Sequence, residues 1–587
     1  MNANTGVITN HEKTKTETVP VTRPSKRWPN ILGFILGSIL LDFLYCRRMV
    51  SGLINPDAMD FAQTARNLLQ GRGFVTQMLH PLALTHGSSA LQQPDMVHGV
   101  LYPFVLALGF GLFGAKDAVV IAISGLFYVL TVPLIYLLGR RLFGIRVGWI
   151  AALIFMTNGS ILDYAASGTH ITLFLFLATC IFYTLHVIAG SVTEAAQRNA
   201  SEETRKASSL SKPALLMTGI LTGLLYLTDP LFIWIVPLVF VAVVQVYPQR
   251  RLAALVWFCM PLLALAAPCM LRFGLLTGNP VFGLRGAEVW MGTEIHPGLL
   301  GYRLSAEQFA SESIQAPSVL RKIFLAAVDA IALIPRMPGS WILLFVAPSL
   351  FYRYSNPATT RLRSTLIWSL LAMLAGGLFF SPNPTRLMIV FPALLIFAVA
   401  FLQHTLAGAR LKPENVWGLC AGMGLVLLSP LAGDLIKARL PATTSEAGVA
   451  QALTKQMPVT DLSFSDKPWL VAWYGERASI WMPAQDQTLS DLRQKFPRAR
   501  WLFLTRETPS LSQEWADTYH GLLQWSQRYH QAQEANAPLP QNVQISGSEI
   551  PLLKALDGFQ TVPPLGKERP TVVVAQVPAT VQKVELP

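Results

Sequence analysis

Of 587 residues, 52% are apolar and 13% charged, and Lys plus Arg outnumber Asp plus Glu by 46 to 33. Soluble chains carry about 25% charged residues, and a chain so poor in charge cannot cover a large core with polar surface. A cytosolic enzyme, a disordered chain and a fibrous chain are excluded in favour of a multi-pass membrane protein with a soluble part. The net charge of +13 reads as orientation signals in cytoplasmic loops rather than a nucleic-acid footprint.

Residues 1–27 are polar, without apolar period, and read as a disordered cytoplasmic tail carrying Lys13, Lys15, Lys26 and Arg27. Trp28–Cys46 opens a transmembrane module over 28–436 and reads as an uncleaved signal anchor. The polar stretch 47–97 is a first extracytoplasmic loop. Within it, Asp57–Gln70 has helical spacing, with Met59, Phe61, Ala65, Leu68 and Leu69 apolar. That predicts a short amphipathic helix on the membrane surface, started by Asn55-Pro56-Asp57 and stopped by Gly71 and Gly73.

Further apolar runs lie near 98–114, 117–138, 147–163, 170–190, 214–228, 231–248 and 253–271, then near 337–352, 365–381, 387–403 and 415–434. A second large outer loop fills 272–336. About 11 to 13 spans are expected. Arg140, Arg141 and Arg146, then Arg198, Arg205, Lys206 and Lys212, then Arg250 with Arg251, Arg353 with Arg361 and Arg363, and Arg410 with Lys412 mark cytoplasmic loops. One conflict stands. With the tail inside and 47–97 outside, the two runs between 98 and 138 return the chain outside, while the Arg140 cluster says inside. Either one run is re-entrant or the division is off by one.

The composition changes near residue 440. Strands are predicted at Val459–Phe464, Leu470–Tyr474, Ser479–Met482, Trp501–Thr505 and Thr571–Val577, and helices at Leu489–Phe496 and Leu511–Gln533. Residues 440–587 are an extracytoplasmic α/β domain. The five cysteines, Cys46, Cys180, Cys259, Cys269 and Cys420, lie in or beside apolar segments without ligand spacing, and read as packing residues.

Acids are scarce in the apolar part, and charge at membrane depth usually lines a site or a water-filled cavity. Asp57 and Asp60 share a helix face if the helix begins at Asp57. A carboxylate there can act as general base for an acceptor hydroxyl or amine, or hold a hard cation. Asp57 reads equally well as a helix N-cap. Asp42 is expected to pair with Arg47 or Arg48, and Asp229-Pro230 to mark a break between spans. Glu288, Glu294 and His296 in the second loop do not form a metal motif.

These residues stand in an order that carries a resemblance. Asp57, Ala65-Arg66-Asn67-Leu68 and Gly71-Arg72-Gly73-Phe74 precede His98 and Leu101-Tyr102-Pro103. Leu112-Phe113-Gly114 and Arg140-Arg141-Leu142-Phe143-Gly144 follow. Pro268-Cys269-Met270-Leu271-Arg272 with Gly278-Asn279-Pro280, Ser381 to Arg386 with Pro392, and Ala472-Trp473-Tyr474-Gly475 with Arg477 complete it. The set resembles the polytopic lipid-linked-sugar glycosyltransferases, the protein mannosyltransferase and aminoarabinose transferase group (glycosyltransferase family 39, C-type fold). Departures are Ala58 for a second acid, Gly99-Val100 for Pro-Pro, Cys269 and Phe273 beside Arg272, and Asp229 before Pro230.

The resemblance implies an inverting transfer of a hexosyl or pentosyl unit from a polyprenyl-phosphate donor to a lipid, protein or glycan acceptor. The site would face outward from a bacterial inner membrane. Asp57 would activate the acceptor. Arg272, Arg386 and Arg66 would hold the donor phosphate, which a planar guanidinium can grip bidentately. Asp60, His98, Tyr102, Asp163 and His170 would border the acceptor or cavity, with His98 polarising the acceptor, binding a metal or serving structure. A divalent cation is allowed for, the metal ligands being unassigned. The other readings are a multi-pass lipid or solute transporter or flippase, which predicts paired breaks in two similar halves, and a lipid-binding scaffold; no internal symmetry is visible in the sequence.

Overall fold

The computed structural model describes residues 27–86, 90–197, 210–312, 316–333, 342–352, 354, 356–380, 387–409, 445–545, 550–564 and 573–577, with scattered positions between 415 and 436. The tail before Arg27, the Ser381–Arg386 motif and most of the 415–434 run lie outside them.

The first helix, α1 (Arg27–Met49), is followed by α2 (Pro56–Leu69) and a two-residue strand, β1 (Met78–Leu79). Then come α3 (Leu101–Phe113), α4 (Asp117–Phe143), α5 (Ile145–Met156), α6 (Gly159–Ala166), α7 (Ile171–Gln197), α8 (Lys212–Thr228), α9 (Val236–Val246) and α10 (Arg251–Thr277). Among the described residues, six helices are long and apolar enough to cross a membrane, and α5 with α6, bent by 57°, makes up to seven. Leu101–Phe113, Lys212–Thr228 and Pro230–Val246 are shorter apolar helices. The count is below the number expected because these shorter helices miss the length test and the 415–434 run lies mostly outside the described residues. Pro133 lies inside α4, and Pro261 and Pro268 inside α10; neighbouring helices let membrane helices keep such prolines. Packing is close where a side chain is missing: a Cβ on Gly219 of α8 would stand 2.1 Å from the Phe258 carbonyl oxygen of α10.

The run near 98–114 forms only the 13-residue α3. At 1.5 Å per residue it is about 20 Å long, short of the roughly 30 Å hydrocarbon core. It packs on α2, and three residues join it to Asp117 at the head of α4. In the second outer loop, the mixed stretch up to residue 336 holds an 18-residue helix, Ala316–Leu333, which sequence polarity concealed.

The C-terminal part is built on a six-stranded sheet of order β1-β3-β2-β4-β6-β5, with β2 Leu462–Ser465, β3 Ser479–Trp481, β4 Ala499–Leu504, β5 Gln560–Thr561 and β6 Val573–Gln576. The first four strands run parallel and the last two pair antiparallel. Helices Asp486–Lys495 and Gln513–Glu534 match expectation within the usual uncertainty of ends. Leu470–Tyr474 does not: it belongs to the helix Pro468–Trp473. Its residues are buried all round, so the run shows no period, and Pro468 sits at the helix start where its missing N–H costs nothing.

The domain is also not confined to 440–587. Its edge strand β1 comes from the first outer loop, with Met78 opposite Ser479 and Leu79 opposite Ile480. Nor does α2 lie free on a surface. Its whole middle, Ala58 to Asn67, is buried, polar residues included. It is a layer between α3 and the C-terminal domain, and one continuous apolar core runs from the membrane helices through Phe61 and Ala65 to Val471 and Trp473.

A candidate active site around helix α2

The helix start fixes Asp57. Asn55, not Asp57, is the N-cap: its side-chain oxygen accepts from the N–H of Asp57 at 2.9 Å and of Ala58 at 3.4 Å. Asp57 is thereby left exposed on the first turn. Its charge acts on Asp60 and His98, which face the same region.

Asp60, one turn on, is 4% exposed. Its carboxylate accepts from Gln63 Nε2 at 2.7 Å and Thr76 Oγ1 at 3.3 Å. Burial raises it to about 6, against the pull of His98.

The organising residue is Asp95, which sequence reading passed over. One oxygen accepts from the N–H groups of Val97 and His98, both at 3.0 Å. The other stands 3.1 Å from His98 Nδ1. Asp60 Oδ2 is 3.7 Å from the same nitrogen. Burial pushes the Asp95 carboxyl up, but His98 overrides it and holds it down at about 2. Burial would likewise pull His98 down, yet Asp95 and Asp60 raise it to about 9. His98 is therefore an imidazolium at neutral pH. A metal ligand must be a neutral imidazole, so a cation at His98 would have to displace that proton. Among the described residues, no group of three or more His, Cys, Asp or Glu is placed to hold a metal ion.

The main chain of Asp95 holds a second cation. Its carbonyl oxygen accepts from Arg272 Nη2 at 2.6 Å, and the guanidinium lies 4.9 Å from the Phe74 ring centre. Arg272 Nη1 is buried without a hydrogen-bond partner. The expected phosphate residue thus keeps one donor uncommitted beside the His98 cluster.

Phe61 draws the remaining rings together, meeting His98 at 4.7 Å, His170 at 4.8 Å and Tyr102 at 5.3 Å. The Nδ1 of His170 is buried without a partner. Tyr102 is corrected from a cavity residue to a fold residue: it is fully buried and its hydroxyl donates to the Gly168 carbonyl at 2.7 Å. Asp163 is exposed on α6 and accepts from the Tyr45 hydroxyl of α1.

Arg66 is the main correction. Its guanidinium donates to the carbonyls of Ala472 at 2.6 Å and Trp473 at 2.9 Å, and to Gln77 and Glu476. These bonds tie α2 to the C-terminal domain and leave it no place on a donor phosphate. Arg386 lies outside the described residues. Asp42 pairs with neither Arg47 nor Arg48 among them; it packs against Gly125 of α4, and Arg48 donates to the Leu435 carbonyl. Asp229 is more than a break: it caps Leu231 and pairs with Arg285 at 2.7 Å, which also holds Glu288 at 2.8 Å.

Residues 97–194, which include His98 and Tyr102, match the family described as dolichyl-phosphate-mannose-protein mannosyltransferase. No curated protein matches the chain. Among solved structures, ArnT from Cupriavidus metallidurans bound to undecaprenyl phosphate is 13% identical, with a TM-score of 0.55 over 94% of this chain and 98% of that one. The archaeal oligosaccharyltransferase AglB from Archaeoglobus fulgidus, in complex with an inhibitory peptide and a dolichol-phosphate, is 14% identical, with a TM-score of 0.53 over 82% and 69%. The chain has the C-type membrane glycosyltransferase fold with a C-terminal domain, and resembles the lipid-linked-sugar enzymes in both fold and family match.

Proposed function

We propose that this chain is a membrane glycosyltransferase that moves one sugar from a polyprenyl-phosphate-linked donor to an acceptor at the extracytoplasmic face. The observation that carries this reading is Asp57: an exposed carboxylate beside a buried cluster in which Asp95 holds both His98 and Arg272. The fold likeness to proteins bound to undecaprenyl phosphate and dolichol-phosphate supports the donor class.

The proposed orientation rests on α3. Tyr102 near its start joins Gly168, and Asp117 just past its end joins Trp473 and Tyr474 of the C-terminal domain. We read both ends as lying on one face, with α3 too short to cross. Without that crossing, α4 carries the chain inward to Arg140 and Arg141, in accord with the basic loops. The C-terminal domain and α2 stand outside, in a bacterial inner membrane.

In the reaction, Asp57 takes the proton from an acceptor O–H or N–H. The acceptor atom bonds to the anomeric carbon as the carbon–oxygen bond to phosphate breaks, with inversion. Polyprenyl phosphate leaves with the bonding electron pair, and Arg272 Nη1–H and the His98 charge offset its negative charge.

Transfer from a polyprenyl-phosphate sugar to extracted membrane acceptors tests this, with Asp57→Asn as control. Mass spectrometry of surface glycans and glycoproteins from a deletion strain identifies sugar and acceptor. No transfer from any polyprenyl-linked donor, with no glycan change on deletion, would reject the reading.

A further inference from the structure

Between the strands β2 and β3, the C-terminal domain sends one short segment back into the membrane module. Its tip is Ala472-Trp473-Tyr474-Gly475-Glu476. Trp473 is 5% exposed and stacks on Phe110 of α3 at 5.9 Å. Its indole Nε1–H donates to Asp117 Oδ1 at 2.7 Å. The Tyr474 hydroxyl lies 2.7 Å from Asp117 Oδ2 and 3.1 Å from the N–H of Leu53. The carbonyls of Ala472 and Trp473 take the Arg66 guanidinium of α2, which also lies 5.0 Å from the Trp473 ring centre.

The segment is shaped for this place. A Cβ on Gly475 would stand 2.6 Å from the Val471 carbonyl oxygen, so the chain turns there without a side chain. Glu476 follows at φ 49°, a left-handed conformation unusual for a residue with a Cβ, and reaches Arg66 Nη1 at 3.3 Å. Across the contact, a Cβ on Gly52 would meet Asp117 Oδ2 at 3.0 Å and the Tyr474 hydroxyl at 3.3 Å. Both sides of the joint are built to close range.

This geometry holds the chain on both sides of Asp57, at Leu53 just ahead of α2 and at Arg66 within it. Leu53 lies four residues before Asp57, and Arg66 lies nine residues beyond it. We propose that the segment Ala472–Glu476 is a positioning wedge, through which the C-terminal domain sets α2, and with it Asp57, against the head of α4. The wedge rests on the transfer reading for its effect on rate, but not for its effect on α2. The domain is then part of the catalytic apparatus, and Trp473 and Tyr474 act through Asp57 without touching substrate.

Two conservative variants of the full-length protein in detergent test this. Tyr474→Phe removes the hydroxyl between Asp117 and Leu53; Trp473→Phe removes the indole donor. Displacement of a reacting group by about 1 Å costs on the order of 100-fold in rate. The expected result is kcat lower by about 10- to 100-fold with donor KM within about two-fold. Hydrogen exchange should rise over residues 50–60 while the sheet strands stay protected. Asp117→Asn combined with Tyr474→Phe should cost no more than the worse single variant, because both break one joint. Unchanged exchange over 50–60 in both variants, or protection lost through the sheet in both, overturns the wedge. If the wild-type protein transfers no sugar, the transfer reading fails while exchange still decides the wedge.

Discussion

His98 is bound to Asp95 twice, through its ring Nδ1 at 3.1 Å and through its own main-chain N–H at 3.0 Å. The double attachment fixes both the orientation and the charge of the ring. Asp60 adds a second carboxylate at 3.7 Å.

That pairing predicts the alkaline limb of activity. His98 is raised to about 9 from an ordinary 6.5, so its charge is present at neutral pH and lost as pH rises through about 9. In kcat/KM against pH, the wild type should fall only above pH 8 to 9. Asp95→Asn should bring the fall close to pH 7.

The same shift bears on stability. A group raised in the folded state stabilises fully below its unfolded value, here 6.5, and that contribution disappears as pH rises through about 9. Asp95, held at about 2 against 3.8, stabilises above 3.8 and loses its contribution as pH falls through 2. Asp60, raised to about 6, opposes folding as pH climbs from 3.8 through 6. Thermal unfolding at pH 7 and pH 10 should show the wild type losing more stability than His98→Gln over that interval.

Arg272 Nη1 is predicted to meet the donor phosphate. Arg272→Ala should raise donor KM by about 10- to 100-fold, as expected for a charged hydrogen bond of roughly 1.5–3 kcal/mol. Arg272→Lys should recover part of this, since a lysine keeps charge without the planar fork. Steady-state kinetics at varied donor concentration reads both.

Tyr102 is predicted to serve the fold. Tyr102→Phe leaves the buried Gly168 carbonyl without its hydroxyl donor and should cost about 1–3 kcal/mol. A shift in thermal unfolding with unchanged donor KM would fit; a change in KM without loss of stability would return Tyr102 to the cavity.

The sequence disclosed most of the membrane part, because long apolar runs reflect the bilayer directly. It also marked Asp57, whose surroundings are set by the local signal Asn55-Pro56-Asp57. It misplaced Arg66 because a motif position does not reveal that Ala472 and Trp473, some 400 residues on, present their carbonyls to it. Asp95 escaped notice for a simpler reason. It sits in a polar loop, where an acid looks solvated, although its spacing of three from His98 allowed the contact. A strand of two residues, Met78–Leu79, carries too little pattern to be seen before its partner Ser479–Trp481 is in place.

The measurement closest to the central claim is single-turnover sugar transfer by Asp57→Asn protein. The donor is a polyprenyl-phosphate sugar, and donor binding is measured in parallel. The substitution keeps the shape and removes the base, so the rate should fall by about 100- to 10,000-fold with donor binding within about two-fold. Transfer at the wild-type rate in the Asp57→Asn protein would contradict the account.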